Sequence, residues 1–118
     1  MQSARIEYRG LDSASNPYLA YAVILSAGLK GIENEYELMP AVTEDLAAMT
    51  TAERRAMGYH PLPASLREAI NLTEDSEFMA EVLGEQVFEH FLRNKRADWE
   101  DYRAQVTPYE LKHNLGIL

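Results

Sequence analysis

The chain has 118 residues, 11 basic and 19 acidic, for a formal net charge of −8. That length suits one domain with its own core, and an apolar fraction of 47% excludes wholesale disorder. The absence of cysteine excludes a disulfide framework, thiolate-held zinc and a thiol nucleophile. The acidic balance argues against a nucleic-acid partner, which needs a basic face to neutralise phosphates.

Residues 4–9, Ala-Arg-Ile-Glu-Tyr-Arg, alternate in polarity. Side chains of a strand point to opposite faces with period 2, so this pattern predicts a strand within residues 1–10. Arg5, Glu7 and Arg9 then share one face, and Ile6 and Tyr8 the other. No apolar segment follows Met1, so no secretory signal is read. Because it opens in mid-pattern, the chain reads as a piece of a longer protein. Gly10 to Ser15 is a polar turn.

Asn16-Pro17 is a helix start, with Asn as cap and Pro at the first helical position. The helix is expected to run from Pro17 to about Leu29 and to close near Gly28 or Gly31. It is apolar on every face, which predicts burial all round for residues 16–31. The apolar run 18–29 falls short of the roughly 20 residues a membrane span needs. A soluble cytoplasmic protein without a membrane partner is the expectation.

Residues 43–118 read as a helical region. A short helix is expected over Glu44–Met49. Thr50 and Glu53 form a capping-box pattern for a second, Thr51–Met57, ended by Gly58. Tyr59 to Pro63 is a linker, since two prolines stop both helix and central strand. Ser65 and Glu68 open a helix to about Leu72, and Thr73 is expected to cap another, Glu74–Leu83, closed by Gly84. The longest helix should span Glu85–Gln105. Its Val87, Phe88, Phe91, Leu92, Trp99 and Tyr102 form an amphipathic stripe. Thr107, Pro108 and Glu110 start a last helix that ends before Gly116. The fold class is therefore mainly α: one N-terminal strand followed by about six helices.

Arg5, Glu7 and Arg9 are the one constellation suited to chemistry. Such a row can be an ordinary solvated charge ladder. Alternatively, the arginines bind anionic groups while the glutamate holds a hard cation, the mixture that phosphate chemistry uses. One glutamate makes no metal site by itself, so other ligands must come from elsewhere. His60, His90 and His113 lack metal-ligand spacing, and no phosphate loop or nucleophile elbow occurs.

Ala4 to Arg9, Asp12, Asn16-Pro17-Tyr18-Leu19-Ala20 and Ala27 to Ile32 together resemble the final catalytic segment of bacterial type I glutamine synthetase. Leu62-Pro63, Ser65-Leu66, Glu68-Ala69, Glu77-Phe78 and Val106 to Leu111 are similar to later parts of the same segment. The similarity covers the whole chain, which corresponds to about the last quarter of such an enzyme.

The resemblance implies ATP-dependent formation of glutamine from glutamate and ammonia through γ-glutamyl phosphate, with Mg2+ or Mn2+. By position it implies that Arg5 contacts the ATP phosphates, that Glu7 ligates the metal and that Arg9 binds the glutamate carboxylate. It further implies an α+β parent domain and a double hexameric ring, with the C-terminal helix as a strap between rings. The remaining metal ligands, the ammonia site and the nucleotide wall lie upstream in the family, so the chain alone is expected to be inactive. Where many members carry an adenylylated tyrosine, this chain has Asp45-Leu46-Ala47-Ala48-Met49. Control by that modification is therefore expected to be missing. The competing readings are a non-catalytic acidic helical interaction module and a synthetase-like ligase using another amine.

Overall fold

The computed structural model describes residues 3–5 and 7–117. The chain divides into two units, Met1–Glu37 and Leu38–Leu118. Six helices are present among the described residues and no strand.

In the first unit the expected N-terminal strand does not form; Ile6 lies outside the described residues. Residues 3–5 and 7–10 are irregular and exposed. Alternation marks which faces a strand would have, but the strand itself exists only as one half of a hydrogen-bonded ladder. This unit has no second strand among its described residues to supply the other half. Tyr8 is 60% exposed and folds back over Gly10, where an added Cβ would stand 2.7 Å from its hydroxyl.

Asp12 then makes the expected turn, its carboxylate accepting from the Ala14 N–H at 2.7 Å. Asn16 caps helix α1, Pro17–Glu33, its side chain accepting from the N–H groups of Tyr18 and Leu19. The helix runs a turn beyond its expected end, through both Gly28 and Gly31. Closure falls instead on Asn34 and Glu35. The Glu35 N–H donates to the Ile32 carbonyl and the Tyr36 N–H to that of Gly31, a Schellman motif. Glu35 occupies its left-handed position at φ 51°, a place glycine normally takes. Asn34 adds a side-chain bond to the Lys30 carbonyl at 2.8 Å.

No residue of α1 is buried, contrary to the expected burial of residues 16–31. Leu19, Val23, Ser26 and Lys30 are half-covered along one stripe, whereas Tyr18, Tyr21, Leu25 and Ile32 are at least 65% exposed. The unit holds no other helix or sheet among its described residues, so an all-apolar helix has nothing of its own unit to be buried against.

In the second unit, residues 38–50 are irregular. The helix expected over Glu44–Met49 is replaced by a turn, the Asp45 carboxylate accepting from the Ala47 N–H and its carbonyl from that of Ala48. Asp satisfies nearby backbone donors itself and so competes with helix propagation. The Thr50–Glu53 capping box forms as expected and starts α2, Thr51–Ala56. Gly58, at φ 83°, closes it in a second Schellman motif, with the Tyr59 N–H on the Arg54 carbonyl. Ser65 caps α3, Leu66–Glu74. The Glu68 carboxylate reaches back one residue further than in a standard box, to the Ala64 N–H.

Thr73 is not the cap of the next helix. It lies inside α3, where its hydroxyl donates to the Ala69 carbonyl, and Ser76 caps α4, Glu77–Leu83. Gly84, at φ 72°, ends α4 and begins α5, Glu85–Arg103, without an intervening residue. Helices α3, α4 and α5 pack on one another around Ile70, Phe88 and Leu92. Met79, Ala80, Leu83 and Trp99 surround these three. The α5 stripe is only partly covered: Phe88 and Leu92 are buried, whereas Val87 and Tyr102 remain exposed. Arg96 on α5 adds an ion pair with Glu74 at the end of α3. A capping box of Thr107 and Glu110 starts the last helix, α6, Pro108–Asn114. No helix among the described residues is long and apolar enough to cross a membrane.

Two measurements check this account. Leu92→Ala removes the most deeply buried side chain, and chemical denaturation is expected to show a loss of about 2–5 kcal/mol. Val87→Ala, on the same helix but exposed, should be close to neutral. Hydrogen bonds from Thr50 and Thr107 hold the Glu53 and Glu110 carboxyls below their ordinary value of 4.5. A depressed carboxyl stabilises the fold above the unfolded pKa, and that support is lost as pH falls through the folded value. Carbon chemical shifts of residues 108–114 should therefore report fraying of α6 below about pH 4.5. Glu110→Gln should abolish that pH dependence.

Candidate functional site

The opening segment carries the sequence-predicted site. Arg5, Glu7 and Arg9 are all exposed, and the structure brings two of them together. Arg9 donates from Nε to one oxygen of Glu7 at 2.9 Å, and its Nη2 stands 2.7 Å from the same oxygen in an ion pair. Arg5 makes no ion pair with a described residue. Residues 7–10 are irregular, so Glu7 and Arg9 meet without any sheet to fix them, through their own ion pair and not on the expected strand face. Sequence reading missed that contact, although opposite charges two residues apart in an extended segment are its signal.

Glu7 offers hard carboxylate oxygens at an exposed position (62% for the side chain), the chemistry a hard divalent cation prefers. Mg2+ wants near-octahedral oxygen coordination. Among the described residues no group of three or more His, Asp and Glu side chains could hold a metal ion. The segment fits such a cation in kind and supplies one candidate ligand of the several required. The two arginines are permanent cations with planar donor forks suited to phosphate and carboxylate oxygens.

The histidines stand elsewhere. The His90 ring lies 2.7 Å from Arg93 on the outer face of α5, beside a shallow open depression lined by Glu85, Gln86, Glu89 and Val87. His113 stacks on Tyr109 and bonds its carbonyl, within α6. Both arrangements are local to one helix and bring no second reactive group. Ala47 is exposed in the Asp45 turn and has no hydroxyl.

Comparison with known proteins gives this segment its context. The family model described as the catalytic domain of glutamine synthetase matches residues 1–114. A glutamine synthetase of Mycolicibacterium smegmatis is 54% identical over 117 residues, covering 99% of this chain and 26% of the relative. One from Mycobacterium tuberculosis is 53% identical over 115 residues, with 98% and 26% covered. One from Methanosarcina mazei is 43% identical over 114 residues, with 97% and 26% covered. The chain thus spans about a quarter of the length of the curated relatives it matches. Among solved structures, "Apo GmaS without ligand" superposes with a TM-score of 0.74 at 36% identity, covering 88% of this chain and 24% of that one. With its sequence matched over residues 1–114, this chain belongs to the glutamine synthetase family, in the catalytic domain.

Proposed function

We propose that this chain is the closing segment, residues 1–118, of a glutamate–ammonia ligase, and that residues 1–10 form one wall of its active site. The observation that carries the reading is the Arg5, Glu7 and Arg9 set standing at the head of a chain that belongs to this family. In the reaction, an oxygen of the glutamate γ-carboxylate attacks the terminal phosphorus of ATP and ADP leaves. The ammonia nitrogen then attacks the γ-carbonyl carbon, sheds a proton, and phosphate departs with the bonding pair.

Each side chain has a place in that sequence. Arg5 holds the ATP phosphate oxygens and neutralises charge on the transferring group. Arg9 receives a carboxylate of glutamate in its guanidinium fork and orients the substrate. Glu7 would be one ligand of a divalent cation, Mg2+ or Mn2+, which would supply Lewis-acid neutralisation of charge on the phosphate. Identity of 54% to an enzyme called glutamine synthetase supports ammonia as the nucleophile over another amine. It likewise supports a ligase over a non-catalytic module. Without the other metal ligands, residues 1–118 alone are inactive. The complete enzyme is cytoplasmic and works in nitrogen metabolism.

The same reading assigns the C-terminal residues. Tyr109, Leu111, Leu115 and Ile117 are between 46% and 82% exposed, an apolar strip on and just beyond α6. Apolar side chains gathered at one chain end are covered when another subunit receives them. We place α6 as a strap between the two hexameric rings of a dodecamer. The Asp45 turn, with Ala47 at its tip, offers no phenol for adenylylation, so this enzyme is not controlled there.

Steady-state kinetics of the complete enzyme test the site. Arg5→Ala and Arg9→Ala are each expected to lower kcat/KM by about 100- to 1,000-fold. The loss should fall chiefly on ATP for Arg5 and on glutamate for Arg9. Unchanged kinetics in both would remove the proposed site, as would glutamine formation by residues 1–118 alone. For the strap, deleting residues 111–118 should shift sedimentation from dodecamers to hexamers, whereas intact dodecamers would refute the assignment.

A further inference from the structure

Five large apolar side chains of α1, Tyr18, Tyr21, Leu25, Leu29 and Ile32, are 51–83% exposed. Their spacing along the helix is 3, 4, 4 and 3 residues, which gathers them into one stripe about four turns long. The spacing reads the same in both directions, with Leu25 at its centre. No charged residue interrupts the stripe. The charged residues of α1, Lys30 and Glu33, lie off it near the C-terminal end.

We propose that this stripe is a self-association surface whose occupant is the same stripe of a second copy of the chain, laid antiparallel about a two-fold axis through Leu25. A two-fold contact is isologous, so a pattern symmetric about one residue meets itself in register. Leu25 then faces Leu25, Tyr18 faces Ile32 and Tyr21 faces Leu29. Each ring packs on an aliphatic side chain, which keeps side-chain bulk even along the seam. Charge selects the same direction. The antiparallel pair sets Lys30 across from Ala20 and Glu33 across from Pro17, and it opposes the two helix dipoles. A parallel pair would set Lys30 on Lys30 and Glu33 on Glu33. The five side chains leave uncovered on the order of 600 Å² per copy. Two copies bury about 1,200 Å², the lower edge of what a specific dimer needs, so the pair forms at micromolar concentrations and above. The net charge of −8 on each copy opposes it, and salt, which screens that repulsion, tightens it.

Sedimentation equilibrium of residues 1–118 from about 1 μM to about 1 mM tests this. The mean mass should rise from one chain toward two, and rise further in added NaCl. Leu25→Glu brings two carboxylates together at the axis and should leave single chains throughout. Far-UV circular dichroism should show α1 retained, because Leu25 is exposed and Glu suits a helix. The chain has no cysteine, so single substitutions report the register. Leu25→Cys should cross-link to its own counterpart under mild oxidation. Tyr18→Cys should not, its counterpart standing about 20 Å away along the seam. Single chains at every concentration would overturn the proposal and leave the stripe to other parts of a longer protein. Association that survives Leu25→Glu would overturn it as well, and its loss on Leu115→Glu or Ile117→Glu would move the contact to the end of α6. Ready cross-linking of Tyr18→Cys would mean a parallel pair and refute the two-fold arrangement.

Discussion

Burial of Leu92 between α3 and α4 is the contact on which the second unit depends. With Ile70 and Phe88 it forms the only fully covered apolar cluster among the described residues. Gly84 makes that packing possible. Its positive φ turns the chain from α4 into α5 with no loop between, so Leu83 and Phe88 reach the same centre. A side chain at this position would meet no neighbouring atoms, but it would have to adopt a backbone conformation that L-residues disfavour. Among the described residues three buried side chains are few for a chain of this size, and the many exposed Tyr, Leu and Ile side chains are the other face of the same fact.

Away from that cluster, order is carried by helix ends. Asn16, Thr50, Ser65, Ser76 and Thr107 each satisfy amide donors that the first turn leaves open. Glu53 and Glu110 return the bond to the cap backbone; the Thr50 hydroxyl and then its N–H lower the Glu53 pKa, and the Thr107 N–H and then its hydroxyl lower that of Glu110. At the other ends, Glu35 and Gly58 occupy equivalent positions of the same closing motif. Only one of them is a glycine, which shows that the hydrogen-bond pattern and not the residue type defines the stop.

The residues proposed for the site sit where neither kind of support reaches. Arg5, Glu7 and Arg9 lie in irregular, exposed backbone, held by one side-chain pair. Catalytic arginines need a fixed aim to within a fraction of an ångström, which takes rigid backbone and a packed supporting layer. Among the described residues no packed layer stands behind Arg5, Glu7 and Arg9. The apolar surface of α1, next in sequence, fits the same picture of faces made for cover.

What the sequence by itself determined is the set of features whose physics closes within a few residues. Four of the helix starts, the Gly58 stop, the Gly84 junction and the last helix were all legible, because a cap and its amide lie within a turn of each other. The family was legible too, since residue order and spacing carry it without any geometry. Tertiary structure decided the rest. A strand is half of a pair, and alternation at residues 4–9 could not say whether the other half was present. Apolarity around α1 could state a demand for burial but not supply the neighbours. Thr73 reads as a cap until the chain stays helical past it, and Val87 and Tyr102 read as core until the α3–α5 crossing leaves them outside. Thr73 apart, whose outcome was settled within its own helix, the result turned on which distant surface met the segment, and that information lies outside the segment's own residues.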